Sequence, residues 1–392
     1  MKNLETLIQE LCSDGVEFVK LGEVCVVQRG KRLTKKQLSD SDKFPVFHGG
    51  IQPIGYYSEK NRDANTVMII NVGASAGTIG YSDKEFWSSD GCYCLSHVDS
   101  VVPKYIYYLL ANNQHYFQAK VRHGGIPTLD ALVVKNYEIP LPPIEVQTEI
   151  VRILDKFTSL EAELEAELDC RKRQYEYYRD KLLSFDNVGG QEVEWKKMSE
   201  VFDMRNGYTP SKAKAEYWEG GTIPWFRMED IRENGRILSN SIQHITMVGV
   251  KKGKLFPANS FILATTATIG EHALVIADSL ANQQFTNLTV RNSLSNRLLI
   301  KFVFHYMFIV DEWCKKNINV SGFASVDMNK FKKLEFPIPS LEEQHRIVSI
   351  LDRFESLTTS LQSGLPAEIS ARRQQYEYYR DKLLTFKRKG AA

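Results

Sequence analysis

Ten consecutive residues, QYEYYRDKLL, occur at positions 174–183 of this 392-residue chain and again, unchanged, at positions 375–384. A second pair of matching blocks lies upstream of the two copies: IPLPPIEVQTEIVRILDKF at 139–157, and FPIPSLEEQHRIVSILDRF at 336–354. The repeat period of about 180 to 200 residues is the size of a domain and far exceeds that of a solenoid repeat. The chain is therefore predicted to contain two copies of one structural unit.

A third match, between GVEFVKLGEV and EVEWKKMSEV, marks the start of a globular domain in each unit. Both domains contain many strand-like segments and short helices, which predicts an α/β fold. The predicted segments are an N-terminal helix at 1–14, a first domain at 15–139, a central helix at 140–186, a second domain at 187–336 and a C-terminal helix at 337–392. By the symmetry of the repeat, we expect the N-terminal helix to pack near the C-terminal helix.

The two predicted long helices carry apolar and aromatic residues at alternating spacings of four and three, which is the pattern of a coiled coil. We predict that they pair as an antiparallel coiled coil. A helix over about forty residues would be ~60 Å long, too long for one small domain, so it is expected to act as a spacer or a docking rod. The residues expected to pair the helices or to dock a partner are Gln147, Ile150, Leu154, Phe157, Tyr175, Tyr178, Leu182, Gln344, Ile347, Leu351, Phe354, Tyr376, Tyr379 and Leu383.

Two local features distinguish the helices from each other. The first contains a tandem tetrad, LEAELEAE at 160–167, and each tetrad adds ~6 Å of helix. Leucine, glutamate and alanine in this order also simply make a good helix. The second helix carries four extra residues, and Gly364 and Pro366 at this insertion predict a kink or a break.

The net charge is only +2, so binding to a polyanion would require local clusters of charge. The six cysteines form no CxxC pair and resemble neither a disulfide framework nor a zinc site. Cys92 and Cys94 are expected to alternate across a strand, as buried thiols rather than as a redox pair. We expect a reducing, cytoplasmic location with neither a signal peptide nor a membrane anchor.

Local clusters of charged and polar residues occur in loops of the first domain. The segment QRGKRLTKK follows a strand-like run and would suit phosphate contacts, while FHGGIQPIGYYSE and RHGGIPT place polar side chains among glycines. The residues expected to contact nucleic acid here are Arg29, Lys31, Arg32, Lys35, His48, Gln52, Tyr57, Arg122 and His123.

The second domain has a less basic loop, DMRNGYTPSKAK, at the matching place. Arginine and asparagine form bidentate hydrogen bonds with base edges, and asparagine and glutamine suit adenine. The candidates in this domain are Arg205, Asn206, Tyr208, Lys212, Arg227, Asn282, Gln283, Gln284, Ser321 and Phe323. Solvated loops and core aromatics are the alternative explanation, but the recurrence of the same loops in both domains favours contact with DNA.

Motifs that would indicate catalysis are missing from the sequence. The glycines of NVGASAGTIG lack both the Lys-Ser or Lys-Thr of a phosphate-binding loop and the GxGxxG spacing. There is no methyltransferase tetrapeptide of the Asn-Pro-Pro-Tyr type, no His-Glu-x-x-His helix and no nuclease-like acid cluster, and the eight histidines lack ligand spacing. We therefore assign no catalytic and no metal-binding residues.

The doubled block, PLPP with EVQTEIVRIL and PIPS with EEQHRIVSIL, resembles the specificity subunits of Type I restriction-modification systems over nearly the whole chain. The resemblance implies that each globular domain is a target-recognition domain for one half of a split double-stranded DNA site. It implies that the helices set the half-site spacing and bind two methyltransferase subunits, with restriction subunits joining through the complex. S-adenosylmethionine, ATP and Mg are then expected only in partner subunits, and the chain itself is expected to be no enzyme.

The two domains differ in nearly every candidate contact, so the target is expected to be asymmetric. Two other classes of function stay open at this point. The chain would be an enzyme, such as a nuclease with an unrecognised site, if it were active in isolation; the missing motifs disfavour this. It would be a coiled-coil assembly protein if it showed no salt-dependent binding to any duplex, and the repeated basic and glycine-rich loops disfavour that.

Overall fold

The structure is a computed structural model that describes residues 4–185, 193–319, 323–359 and 364–390. The chain divides into two compact units. The first combines Met1–Ala166 with Ala367–Ala392, and the second is Glu167–Pro366. Each unit therefore contains one globular domain together with parts of the long helices, whereas the sequence suggested separate helical segments.

The first domain alternates short strands with short helices. Its helices are α1 (Leu4–Leu11), α2 (Leu21–Val24), α3 (Pro103–Asn112), α4 (Gln114–Ala119) and α5 (Ala131–Lys135). Its strands are β1 (Phe18–Lys20), β2 (Cys25–Arg29), β3 (Phe44–Phe47), β4 (Pro53–Tyr57), β5 (Thr66–Ile70), β6 (Ile79–Ser82), β7 (Trp87–Ser88), β8 (Cys92–His97) and β9 (Glu138–Pro140). The long helix α6 (Ile144–Leu183) follows β9.

Three sheets organise the first domain. Strands β2, β8, β5 and β6 form an antiparallel sheet in that order, and β4, β3 and β7 form a second sheet in which β3 and β7 run parallel. Strand β1 pairs with β9 and so brings the two ends of the domain together. Because β5 lies in the interior of its sheet, its β-branched and apolar sequence TVMII is buried on both faces.

The four-stranded sheet separates two apolar cores. Val67 and Ile69 of β5 pack in the larger core with the helices, whereas the alternate residues Met68 and Ile70 pack in the smaller core. Cys92 and Cys94 both lie in the smaller core, on one face of β8. The expectation that they alternate across the strand is wrong, because residues two apart in a strand share a face. Both are buried free thiols, and burial raises the pKa of Cys92 to about 12.

The second domain repeats this plan with more strands. Its strands are β10 (Glu194–Lys197), β11 (Phe202–Asn206), β12 (Ile223–Phe226), β13 (Ile237–Leu238), β14 (His244–Ile245), β15 (Ser260–Ala264), β16 (His272–Val275), β17 (Leu280–Ala281), β18 (Phe285–Val290), β19 (Ile318–Asn319), β20 (Ser325–Val326) and β21 (Glu335–Ile338). Its helices are α7 (Met198–Val201), α8 (Met228–Asn234), α9 (Ile300–Lys316) and α10 (Met328–Phe331).

Three sheets of the second domain match those of the first, and the strand pair β19–β20 is additional. Strands β11, β18, β15 and β16 correspond to β2, β8, β5 and β6, with β13 added at the edge. Strands β14, β12 and β17 correspond to β4, β3 and β7, again with one parallel pair, and β10 pairs with β21 as β1 pairs with β9. Alternate residues of β15 again face two cores. The duplication inferred from the helices thus extends through both domains.

The C-terminal part of the chain forms two helices, α11 (Leu341–Thr359) and α12 (Leu365–Leu384). The break between them falls where Gly364 and Pro366 predict it. Helix α6, in contrast, is continuous over 40 residues. Within the part of the chain that the structure describes, no helix is both long enough and apolar enough to cross a membrane.

Candidate nucleic-acid interface and helix seam

The first candidate loop begins at the same point in both domains, at the glycine that follows β2 or β11. A Cβ atom at Gly30 would lie 2.2 Å from the carbonyl O of Ser88, and one at Gly207 would lie 2.2 Å from the carbonyl O of Asn282. Only glycine permits two backbones to approach so closely. The glycine therefore holds each loop against a second segment of its domain.

The basic residues of this loop in the first domain, Arg29, Lys31, Arg32 and Lys35, are all exposed. The backbone beneath them is fixed, because Lys31 N donates to Ser88 O at 2.9 Å and Trp87 Nε1 donates to Lys31 O at 2.7 Å. Arg29 Nε donates to the carbonyl O of Asp90 at 2.9 Å. Exposed cations on a fixed backbone suit contacts with DNA phosphates or with acceptors on base edges, and those contacts stay a prediction.

The next three candidates of the first domain differ in their surroundings. Gln52 is exposed and keeps an accessible amide. His48 is half-buried, and its Nδ1 lies 3.1 Å from Ser89 Oγ. The half-buried ring of Tyr57 packs edge-on against Trp87, with 5.0 Å between ring centres. Tyr57 therefore contributes mainly to packing within its own domain.

Arg122 and His123 are exposed in the last loop of the first domain. The Arg122 guanidinium pairs with the Asp130 carboxylate at 3.1 Å, and the Arg122 backbone exchanges hydrogen bonds with Thr128. This loop lines a cavity of about 300 Å³ together with Arg29, the last residue of β2. Two candidate loops that are distant in the sequence thus meet at one place.

In the second domain, Asn206 stands at the end of β11 and is exposed, as is Lys212. Asn206 Oδ1 accepts a hydrogen bond from Thr286 Oγ at 3.1 Å. Arg205 is half-buried, with its guanidinium 4.6 Å from the centre of the Phe256 ring. Burial lowers the pKa of Arg205, and the ring offers the cation a favourable face.

Tyr208 and Arg227 are engaged by their own domain. The Tyr208 hydroxyl bonds to Gly249 O and accepts a hydrogen bond from Lys251 N. Arg227 is half-buried, with its Nε 3.8 Å from the Glu229 carboxylate. The Tyr208 hydroxyl is thus satisfied within the domain, whereas the buried Arg227 Nε makes no hydrogen bond among the described residues. Contact of either residue with DNA stays a prediction.

Asn282, Gln283 and Gln284 follow β17 in a short turn. Asn282 Nδ2 donates to Gln284 Oε1 at 3.2 Å, and the backbone Gln284 N donates to Asn282 Oδ1 at 3.0 Å, so the Asn282 side chain bonds both the side chain and the backbone of Gln284. Gln283 is exposed, and its Oε1 accepts a hydrogen bond from Thr209 Oγ at 2.6 Å. Of the three, Gln283 is the most accessible to a ligand.

The last candidate loop of the second domain precedes β20. Phe323 is 99% exposed, a large apolar ring without packing in its own domain. Ser321 lies outside the described residues. The Val326 N donates to the Thr265 O at 2.9 Å, which brings this loop beside the end of β15.

Sequence reasoning missed two buried polar residues at the centre of this arrangement, Asn71 after β5 and Thr265 after β15. The strand registers make them equivalent, because Ile70 pairs with Cys92 as Ala264 pairs with Phe285. The sequence signal was a polar residue directly after a fully apolar strand, at the edge where loops of the domain meet.

Gln147 and Gln344 fix the start of the long helices to their domains. Gln147 Oε1 accepts from Val102 N at 2.9 Å, and its Nε2 donates to Ser100 O and Pro142 O. Gln344 makes the same three bonds with the equivalent residues Leu299, Arg297 and Pro339. Both glutamines are fully buried, so they anchor each helix to its own domain instead of pairing helices or docking a partner.

Four apolar residues of the predicted seam lie in the cores. Ile150 and Leu154 are fully buried in the first unit, and Ile347 and Leu351 are fully buried in the second. These residues were expected to pair the two helices, but they mainly pack each helix onto its own domain.

In the first unit, α6 contacts α12 through predicted seam residues. The rings of Phe157 and Tyr379 stack at 5.6 Å, and Arg373 pairs with Glu161 at 2.6 Å and with Glu165 at 3.2 Å. The α12 residues fall in number as the α6 residues rise, so these helices pair in antiparallel fashion. Tyr376 and Leu383 also pack against the first core.

In the second unit, α6 contacts α11 through the equivalent pair. The rings of Tyr178 and Phe354 stack at 5.6 Å with 24° between their planes, as do those of Phe157 and Tyr379. Tyr175 and Leu182 pack against the second core. The repeated sequences thus form the same aromatic contact once in each unit.

A polar cluster beside the second seam has the spacing of a metal site. The ligand atoms of His305, Asp352 and Glu355 lie within 4.8 Å of one another. Lys301 Nζ lies 3.6 Å from the Asp352 carboxylate and 3.9 Å from that of Glu355, and His305 Nε2 lies 2.8 Å from Asp352. A lysine already supplies the positive charge, and the first unit has Lys104 bound to its equivalent aspartate. The cluster is therefore explained as an ion-pair network.

Two solved structures share this doubled architecture. The S subunit of a Type I restriction-modification system from M. genitalium gives a TM-score of 0.58 at 17% identity, covering 94% of this chain and 96% of that one. A chain of another type I system gives a TM-score of 0.61 at 18% identity, covering 94% and 97%. At these identities the likeness shows the fold, which is that of Type I specificity subunits.

The sequence comparison identifies the family. A family model described as the Type I restriction modification DNA specificity domain matches residues 13–169 and 191–371. The EcoR124I/EcoR124II specificity subunit of Escherichia coli is 35% identical, covering 98% of this chain and 97% of that protein. The EcoprrI specificity subunit of Escherichia coli is 54% identical over 54% of this chain and 53% of that protein. The chain belongs to the Type I specificity subunit family, as the doubled helix-opening block predicts.

Proposed function

We propose that this chain recognises a two-part, asymmetric DNA site, with one target-recognition domain for each half, and that it is the non-catalytic scaffold of a Type I complex. One observation carries the proposal. The same loops converge at the same place in both domains but present different side chains, Arg29 and Tyr93 in the first and Asn206 and Thr286 in the second. Because the two domains share one fold but present different polar groups, we infer that they read different DNA half-sites.

The repeated seam supports the binding of two methyltransferase subunits, one for each repeat. The stacked pairs Phe157 with Tyr379 and Tyr178 with Phe354 give both units the same surface feature. Tyr178 and Tyr379 remain 38% and 36% exposed, so part of each ring is open to a partner. Restriction subunits would join through this complex.

The chemistry of such a complex is assigned to the partner subunits. S-adenosylmethionine, ATP and Mg would be bound there, and this chain would bind DNA without a cofactor. We place the chain in the cytoplasm, because burial keeps five of its six cysteines as free thiols, the state that a reducing compartment maintains.

The test is genomic adenine methylation in cells that co-express this chain with its methyltransferase subunit, read by modification-sensitive sequencing. We expect a split motif with two unlike halves that appears only when the chain is present. A continuous motif, or a palindrome, would contradict the assignment of one half-site to each domain.

Matched arginine variants connect that motif to the loops. Arg29→Ala removes a cation at the end of β2, and Arg232→Ala removes an exposed cation from α8 of the other domain that is not among the predicted DNA contacts. We expect Arg29→Ala to reduce methylation at every site about tenfold or more, with Arg232→Ala within about twofold of the unmodified chain. Equal effects of the two variants would count against the loop assignment.

A further inference from the structure

Asn71 has a buried acceptor without a partner. The residue is 4% exposed, and within the described part of the chain its Oδ1 makes no hydrogen bond. Its backbone is held on both sides, because Asn71 N donates to Gly91 O at 3.1 Å and Leu129 N donates to Asn71 O at 2.9 Å. A buried acceptor left unpaired is unfavourable, and the two backbone hydrogen bonds fix the position from which the side chain extends.

Asn71 borders the cavity where the candidate loops of the first domain meet. The cavity of about 300 Å³ is lined by Asn71 together with Arg29, Tyr93, Arg122 and Asp130. Both arginines are exposed, and Asp130 pairs with Arg122. A ligand that enters would meet donors from the arginines and an acceptor from the asparagine.

The equivalent place in the second domain has no such unmet acceptor. There, Thr265 Oγ and Thr286 Oγ lie 3.0 Å apart, and Thr286 Oγ donates to Asn206 Oδ1 at 3.1 Å. The hydroxyls of Thr265 and Thr286 are thus satisfied by each other and by Asn206. The open acceptor is a property of the first domain and not a requirement of the shared fold.

The cavity lining contains both hydrogen-bond donors and acceptors, which favours a base edge over a phosphate as its ligand. A phosphate presents only acceptor oxygens, so the Asn71 oxygen and the Asp130 carboxylate would repel it. A base edge with an exocyclic amine offers a donor to the asparagine oxygen and acceptors to arginine. Adenine presents N6 beside N7 in the major groove, and a G·C pair presents the cytosine N4 amine beside guanine acceptors.

We propose that Asn71 is a specificity-determining residue of the first domain, whose Oδ1 accepts a hydrogen bond from the exocyclic amine of one base while Arg29 and Arg122 donate to acceptors beside it. The inference rests on the proposed function, since it concerns the half-site that this domain reads. It adds a residue outside the exposed loops and names the base group that this residue recognises.

The test uses the full chain in complex with its methyltransferase subunits and a duplex that contains the motif found by methylation sequencing. In separate probes, each adenine of the first half-site is replaced by purine, which lacks the N6 amine, and each cytosine by 2-pyrimidinone, which lacks the N4 amine. At one position we expect the loss of the amine to weaken binding about tenfold or more. The purine and pyrimidinone probes distinguish adenine from cytosine as the source of that amine.

Three variants connect this position to Asn71. Asn71→Leu removes the acceptor, so the same probe should weaken its binding less than about twofold, while Asn71→Asp retains an acceptor and should retain the dependence on the amine. Thr265→Val, the matched change in the second domain, should keep the same dependence on the amine at this half-site, whatever its effect on overall affinity. If Asn71→Leu does not fold, Asn71→Ala takes its place with the same expectation, because it also lacks the acceptor.

Two results would overturn the inference: no amine of the first half-site affects binding by the unmodified chain, or the penalty is equally large in Asn71→Leu. Failure of the proposed function is recognised separately, because the unmodified complex would then produce no split motif. In that case the inference falls with the function on which it rests.

Discussion

A buried glutamine at the start of each long helix shows how single residues fix this fold. The three hydrogen bonds of Gln147 satisfy backbone groups of the first domain, and Gln344 repeats them in the second. The bonds from Gln147 Nε2 to Ser100 O and Pro142 O join the first turn of α6 to the domain, so this side chain helps to fix where the helix begins. The contact between this glutamine and its domain therefore fixes which residues of the long helix lie along the seam.

We expect Gln147→Leu to destabilise the first unit by about 1–3 kcal/mol, because the leucine fills the space but leaves the Val102 N–H without its acceptor. Urea unfolding monitored by circular dichroism measures the change. Thr148→Ala, at the exposed neighbouring position, is the control and should have an effect below about 0.5 kcal/mol. Equal stability of Gln147→Leu and the unmodified chain would contradict the anchoring role.

The ion-pair network beside the second seam predicts a dependence of stability on pH. The His305 imidazole, which hydrogen-bonds the Asp352 carboxylate, holds the pKa of that carboxyl below its usual range, and Lys301 adds to the effect. Because the folded pKa lies below the unfolded value of about 4, the carboxylate stabilises the fold above that value. This contribution is lost as the pH falls through the folded pKa.

We therefore expect Asp352→Asn to be less stable than the unmodified chain at pH 7, and we expect this difference to shrink as the pH falls below about 4. Chemical unfolding at pH 7 and at pH 3.5 gives the two differences. Asp14→Asn, at an exposed position, controls for the loss of one negative charge. A difference that stays constant between the two pH values would rule out this role of the carboxylate.

Individual contacts were the part of the molecule that the sequence predicted least well. The exposed basic side chains, such as Lys31 and Arg32, follow from a charged loop after a strand. The surroundings of Tyr208 and Asn71 do not, because they depend on segments that are remote in the sequence, at Gly249 and at Leu129. Local pattern specifies which residues are polar, while tertiary contacts decide which of their groups stay free.

At the scale of elements, periodicity predicted the helices well. The seam pattern and the glycine-proline pair located the continuous helix α6 and the break before α12. The pattern could not show that Ile150 and Leu154 face a domain core, because an apolar stripe has the same period whether it packs on a helix or on a sheet. The observed helix–helix contact is therefore shorter than the predicted apolar stripe. It consists mainly of the two stacked aromatic pairs.

The tandem tetrad of α6 leads to a prediction about the DNA target. Glu161 and Glu165 occupy the same position in successive tetrads, and both pair with Arg373 of α12. Deletion of four residues shortens the helix by ~6 Å and rotates the remainder by only about 40°, so one glutamate and the seam face are retained. We expect the deletion variant to methylate a motif whose halves are unchanged and whose spacer is shorter by at most about two base pairs.

Methylation sequencing again reads the outcome. A deletion of two residues is the matched control, since it rotates the rest of α6 by about 160° and should abolish methylation by moving the seam to the opposite face. Unchanged spacing in an active four-residue deletion would exclude the helix as the determinant of half-site separation.

At the scale of the whole molecule, the duplication explains why the first unit contains both ends of the chain. Leu4 of α1 and Leu384 of α12 share one core, and Val16 N donates to Lys387 O at 2.8 Å. The second unit has the end of α6 in the equivalent role, with Leu183 in its core. The repeat predicted that the N-terminal helix packs near the C-terminal helix. The first repeat begins with only a short helix, so the last helix of the second repeat supplies the missing part.

The same packing leads to a prediction about the thiols of the folded chain. Cys170, on α6, is exposed, whereas the five other cysteines are buried, and burial raises the pKa of Cys25, Cys92 and Cys314 to about 12. Because the thiolate is the reactive form, we expect a thiol reagent at pH 8 to label one cysteine rapidly in the native chain and all six after unfolding in urea. Mass spectrometry of the labelled peptides identifies the site, and Cys170→Ser is the control, which should leave no rapidly labelled thiol. Rapid labelling of Cys92 or Cys94 in the native chain would contradict the two-core arrangement of the first domain, because both thiols lie in its smaller core.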